Sequence, residues 1–139
     1  MTKVLLVLGC LLGLAIRAHA AEIVIYGFEG DPDGWVIPDW AKTSGDYVAT
    51  QLDVSQNYAE EGQSSLKLVA EFPGERWTAV YAEREVEVTD WSAFGYLALS
   101  VYLPPEAPAG LQGRIILTVG DEWQWTEMNR GVPLAPGQW

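Results

Sequence analysis

Apolar residues recur at every second position along most of this chain, a period that suits strands with one covered face and excludes amphipathic helices of 3.6 residues per turn. In residues 65–72, SLKLVAEF, Leu66, Leu68, Ala70 and Phe72 share one face, and Lys67 and Glu71 take the other. Residues 95–103, GYLALSVYL, set Leu97, Leu99, Val101 and Leu103 against Tyr96, Ala98, Ser100 and Tyr102. Residues 83–88, EREVEV, oppose Glu83, Glu85 and Glu87 to Arg84, Val86 and Val88. Further strands are expected at 22–29, 47–55, 114–119 and 123–128. Turn chemistry separates them: Asp31-Pro32-Asp33-Gly34, Glu61-Gly62, Pro73-Gly74, the loop 104–110 and Gly120-Asp121-Glu122. Half-apolar strands need a second sheet to cover them. The expected fold is therefore all-β, an antiparallel β-sandwich of jelly-roll type.

The first twenty residues, MTKVLLVLGCLLGLAIRAHA, are set apart. A basic start at Lys3, an apolar run over 4–16 and the small-residue ending Ala18-His19-Ala20 read as a secretory signal, too short and wrongly flanked for a membrane span. Val7-Leu8-Gly9-Cys10 loosely resembles a lipoprotein acylation box, which would anchor the chain through Cys10, but it lies inside the apolar run. The expected location is outside the cytoplasm, secreted to the extracellular space or periplasm, with no membrane insertion once the signal is removed.

Cys10 and His19 are the only cysteine and histidine, and both lie in this leader. Residues 21–139 thus offer no disulfide framework, no Cys/His zinc site, and no Cys or His catalytic group. They carry six Lys and Arg against nineteen Asp and Glu, a formal charge of −13 (six minus nineteen). That field repels nucleic acid and anionic membrane, whereas neutral ligands are unaffected and calcium, which takes oxygen ligands, is compatible with it. Without linker, low-complexity tract or internal repeat, 21–139 is expected to form one monomeric domain. Residues 135–139, APGQW, read as a turn into a strand that is missing, so the domain is expected to be C-terminally truncated.

The stretch GDEWQWTEM, residues 120–128, places two indoles beside three carboxylates. If Gly120-Asp121-Glu122 turns a hairpin, Trp123, Trp125 and Glu127 share one face and Gln124, Thr126 and Met128 the other. Any single tryptophan is more often core than ligand, since large aromatics dominate cores, and Tyr26, Phe28 and Trp35 fit that role. As a group, seven tryptophans exceed what a sandwich of this size needs. Trp40, Trp77, Trp91, Trp123 and Trp125 sit by expected loops or strand ends. Sugars present apolar C–H faces to flat rings and hydroxyl rims to Asp, Glu, Gln and Arg, so an acidic surface with exposed rings suits a neutral polysaccharide.

Five stretches of the chain carry a family resemblance. Tyr26-Gly27-Phe28-Glu29-Gly30 with Gly34-Trp35, then residues 58–66, YAEEGQSSL, resemble the opening of jelly-roll carbohydrate-binding modules with galactose-binding-like topology. Trp77-Thr78-Ala79-Val80-Tyr81, Asp90-Trp91-Ser92 and 134–139, LAPGQW, continue the likeness in order, which is similar in particular to β-glucan-binding modules of bacterial glycoside hydrolases. The resemblance implies a structural calcium ion held by Glu29 with oxygens from the turn around Glu61; the plainer alternative is that Glu29 caps or pairs. It also implies a concave sugar site in which Arg76, Trp77 and Tyr81 lie near Asp121, Trp123 and Trp125, with Trp40 at the rim. Arg76 and Asp121 also fit as exposed turn charges, and Tyr81 as core.

Three classes of function remain open. The first is a non-catalytic carbohydrate-binding module at the start of an exported, polysaccharide-degrading protein. The second is an enzyme using paired carboxylates such as Glu122 and Glu127 as acid and base, disfavoured because carboxylates on turns are usually solvated. The third is a structural or protein-interaction β-sandwich with every tryptophan buried.

Overall fold

Alternation in residues 49–55 and 65–70 produces the longest paired element of the protein. A computed structural model describes residues 23–87 and 90–139; the expected signal segment with Cys10, as well as Glu22 and Val88 of the expected strands, lies outside them. Strand β1 (Ala49–Ser55) and strand β2 (Ser65–Ala70) pair antiparallel, with Leu52 opposite Leu68 and Val54 opposite Leu66. This register gathers the leucines and valine on one face, and it sets Asp53 opposite Lys67 on the other. A register irregularity between Ala49 and Gln51 leaves Thr50 as the extra residue of a bulge.

Residues 111–134 form a second ribbon. Strand β3 (Gln112–Gly113) pairs with β6 (Val132–Pro133), and β4 (Ile116–Val119) pairs with β5 (Gln124–Glu127), all antiparallel. Between the two ladders the pairing is interrupted: the Ile115 amide donates to the Met128 sulfur at 3.3 Å, and the Met128 amide donates back to the Ile115 carbonyl at 3.3 Å. Gly120 opens the connecting turn at φ +74°, and the Trp123 amide closes it on the Gly120 carbonyl at 3.1 Å.

Helix is confined, among the described residues, to one turn, α1 (Asp39–Lys42). Asp39 in the first turn and Lys42 in the last match the helix dipole and pair with each other at 2.7 Å. Pro38 and Ala41 face inward and are buried; with Ser64 they are the buried residues among those described. Isolated bridges tie the remaining chain together: Val36 with Glu83, Tyr47 with Ala79, and Leu103 with Pro136.

The protein is all-β in character, but among the described residues its sheets are three two-stranded pairs. Several expected strands are therefore corrected. Residues 23–29 form none, 83–87 contribute a single bridge at Glu83, and 95–103 contribute a single bridge at Leu103. Residues 95–101 run unpaired, with Tyr96 71% and Leu99 57% exposed. The physical reason is that alternation specifies which face of a strand is apolar, not which strand lies beside it. Long-range pairing depends on registers that a period of two leaves undetermined.

Among the described residues, no helix is long and apolar enough to cross a membrane.

Candidate functional site

The helical turn α1 decides where Trp40 goes. With Pro38 and Ala41 turned inward, Trp40 projects outward, and its indole N–H donates to Glu83 Oε2 at 3.2 Å. The Trp40 ring meets Tyr81 at a centroid separation of 4.9 Å, and Tyr81 in turn stacks on Tyr47 at 6.2 Å with 11° between planes. Segment 76–83 reaches this place by pairing beside 45–48. The Ala79 amide donates to the Asp46 carbonyl, the Val48 amide donates to the Ala79 carbonyl, and Arg76 Nη1 donates to the Gly45 carbonyl at 2.7 Å.

Trp40 and Tyr81, singled out in the sequence, thus belong to one cluster, joined by Tyr47 and Glu83, whereas Arg76 is anchored on the Gly45 carbonyl and touches none of these side chains. Tyr47 and Glu83 were missed because nothing local in the sequence signals that residue 47 will sit beside residue 79. Burial pushes the Tyr81 hydroxyl above its ordinary ionisation range, and nearby Asp46 adds to the shift. Burial likewise raises Tyr47, partly opposed by Lys42, and the buried Tyr47 hydroxyl has no hydrogen-bond partner.

A second group occupies the β4–β5 hairpin. Thr118 pairs with Trp125 and Ile116 with Glu127, so Trp125 and Glu127 do share a face. Glu127 also accepts from Arg114 at 3.5 Å. Trp123 departs from the expected alternation: it lies in the turn, not the strand, and its backbone is left-handed at φ +52°. For a bulky non-glycine residue such a φ is an outlier that local structure must enforce. Asp121 is exposed at the same tip.

Trp77, Trp123 and Trp125 are 69%, 76% and 61% exposed, the opposite of core packing. Trp40, at 55%, is held by one edge and open on the rest. The structure does not bring the two groups into contact: among the described residues no hydrogen bond, ion pair or ring contact links Arg76, Trp77 or Tyr81 to Asp121, Trp123 or Trp125. Unforeseen in the sequence is a third aromatic group, Tyr58 stacked on Tyr102 at 4.4 Å with Trp139 beyond it at 5.4 Å. Its rings cover one another's faces, leaving less free surface per ring than an isolated indole has.

Glu29 does reach the turn after Glu61. One of its carboxylate oxygens accepts from the Gln63 amide at 2.9 Å and from the Ser64 amide at 3.3 Å. Gly62, at φ +68°, is required there, because a Cβ would run into this carboxylate. This is the capping role in its plainest form. Calcium takes six to eight oxygen ligands, whereas the Glu29 oxygen faces two N–H donors and Glu61 is exposed. Among the described residues no group of three His, Cys, Asp or Glu side chains is placed to hold a metal ion.

No protein family, curated protein or solved structure matches this chain.

Proposed function

We propose that residues 21–139 are a non-catalytic carbohydrate-binding domain of an exported protein, gripping neutral polysaccharide by ring stacking. The observation that carries this reading is the exposure of Trp77, Trp123 and Trp125, with Trp123 held at a strained backbone position. Backbone strain held at a non-glycine residue clusters at binding and active sites, and grouped exposed rings such as Trp123 and Trp125 mark ligand surfaces more than a single exposed side chain does. A sugar ring laid on an indole recovers about 1 kcal/mol per ring, by analogy with aromatic contacts in proteins. Asp121, Glu127 and Arg76 lie near these rings in the chain and offer acceptors and donors for hydroxyls. The jelly-roll sandwich belongs to the same proposal: the alternating segments 83–88 and 95–103 supply the apolar faces that its second layer would use.

Affinity electrophoresis of the chain through gels containing soluble glucan, mannan or xylan tests the reading. Retardation by at least one of them, abolished in the Trp123→Ala/Trp125→Ala double variant, is expected. Migration unchanged by every polysaccharide refutes it. Calcium is tested separately: a structural ion at Glu29 predicts that EDTA lowers the urea midpoint of the wild type and leaves Glu29→Ala unaffected.

A second reading is a protein-interaction domain, favoured by one observation, the exposed apolar run of Tyr96, Leu97, Leu99 and Val101. Acrylamide quenching separates the two. Indole fluorescence that soluble glycan shields from acrylamide supports sugar binding, and quenching that no glycan alters supports the interaction domain.

A further inference from the structure

The turn Pro32-Asp33-Gly34-Trp35 does more than reverse the chain. Asp33 and Gly34 both have positive φ, +50° and +74°, and the Trp35 amide donates to the Pro32 carbonyl at 2.9 Å, the geometry of a type I′ turn. Asp31 accepts from the Asp33 amide at 2.7 Å, and Asp33 accepts from the Phe28 amide at 2.9 Å, so the turn is held from both sides. Over its glycine lies the guanidinium of Arg84, so close that a Cβ at Gly34 would stand 2.6 Å from Arg84 Nη1. The guanidinium also lies over the Tyr26 ring, 5.9 Å from its centroid. Tyr26 is fixed in its turn by an edge contact with Trp35 at 5.8 Å.

Arg84 is clamped in place yet underused. Among the described residues it makes one ion pair, Nη2 to Glu87 at 3.3 Å, with a partner whose side chain is 88% exposed, and its buried Nε has no hydrogen-bond partner there. Around it opens a shallow cavity of about 260 Å³, lined among the described residues by Ile25, Tyr26, Asp33, Arg84 and Glu87. This volume lies just below the range of about 300–1,000 Å³ usual for drug-sized ligands. The space therefore suits one small ring and not an oligomer.

The lining selects the chemistry. One guanidinium against two carboxylates leaves a net charge of −1, which disfavours an anion, while Arg84 at the centre disfavours a cation. What remains is a neutral group with adjacent donors and acceptors. A vicinal diol fits: one hydroxyl oxygen accepts from the guanidinium, the hydroxyl protons go to Asp33 or Glu87, and the apolar face of the ring lies toward Ile25.

We propose that the Arg84 cavity is a second saccharide site, for a single neutral pyranose, separate from the exposed tryptophans. The choice of sugar among neutral polyols rests on the function proposed above; the site itself does not depend on it. An Arg84 position stacked on an aromatic and a glycine is one where lysine is not equivalent, since ammonium lacks the planar face and the Nε donor.

The test is nitrogen-15 NMR of the chain titrated with methyl β-glucoside, methyl β-mannoside and methyl β-xyloside, following the Arg84 Nε–H and Gly34 amide signals. Saturable shifts of both at millimolar concentrations of at least one glycoside are expected. They should persist in Trp123→Ala/Trp125→Ala and vanish in Gly34→Ala, whose new methyl evicts the guanidinium. If Gly34→Ala loses its dispersed spectrum, Arg84→Lys takes its place, with the Gly34 amide as reporter and the same loss expected. Absence of a saturable shift with all three glycosides overturns the proposal, as does loss of the shifts in the double tryptophan variant. Glycoside shifts at Arg84 without retardation in any polysaccharide gel would uphold this site while refuting the tryptophan platform.

Discussion

Trp123 offers a test in which backbone and side chain make opposite predictions. Its φ of +52° puts an L-residue in the left-handed region, at a cost of about 1–2 kcal/mol that only glycine escapes. Its indole is 76% exposed, so about a quarter of its surface leaves water. With about 250 Å² covered by a fully buried large aromatic, that quarter is about 60 Å², or about 1.5 kcal/mol at 25 cal/mol per Å². Trp123→Ala loses this contact and keeps the strain, and should destabilise by about 1–1.5 kcal/mol. Trp123→Gly loses the same contact but relieves the strain, less about 0.5–1 kcal/mol for the added freedom of the unfolded chain. Glycine should therefore be the more stable of the two by about 0.5–1 kcal/mol, the reverse of their order in an ordinary strand. Urea unfolding followed by circular dichroism measures both. Alanine more stable than glycine would refute the left-handed turn, and a loss of about 3–5 kcal/mol for either would mark Trp123 as a core residue.

Further predictions concern the clamps that hold the fold. Glu29→Ala strands the Gln63 and Ser64 amides and should cost about 1–3 kcal/mol, whereas Glu29→Gln keeps an acceptor and should cost less; urea midpoints decide. Arg76→Ala removes the donor to the Gly45 carbonyl and should cost about 1 kcal/mol in the same assay. Tyr47 and Tyr81 have raised hydroxyl pKa values, so the folded state holds protons that the unfolded state releases. Their contribution is intact below the ordinary tyrosine value of 10.0 and is lost as pH rises through the folded values. Absorbance at the tyrosinate band should show two of the six tyrosines titrating late, and the urea midpoint should fall across the same alkaline range. Asp39 runs the other way: its hydrogen bond and charge interaction with Lys42 lower its pKa, so this support is present above the ordinary value of 3.8 and fades in acid. Lys42→Met should remove the shift in an NMR titration of the Asp39 carboxyl.

Local pairing was the part of the fold most legible in the residues. The leucine alternation of 65–72 anticipated the β1–β2 face, and Gly120-Asp121-Glu122 anticipated the turn between β4 and β5. Residues 95–103 show the limit, since an equally regular alternation ends in an unpaired segment. Glu29 and the Glu61-Gly62 turn were linked through family resemblance, and the structure joins them through amide donors of Gln63 and Ser64. Of the candidate site residues, Trp40 and Tyr81 come together, Arg76 is tied to the Gly45 carbonyl, and Trp123 and Trp125 stand on a different ribbon.

By itself the amino-acid order determined the strand character, the sites of the tight turns, the acidic field and the absence of cysteine and histidine chemistry beyond residue 20. Each depends on residue type or on neighbours within a few positions. Tertiary structure alone decided that Trp123 would sit at positive φ with its ring in water, that Tyr47 would meet Tyr81, and that Arg84 would lie against Gly34 and over Tyr26. Those outcomes depend on which distant segments meet, and the free energies that choose among such meetings are spread over many weak contacts that no short stretch of chain encodes.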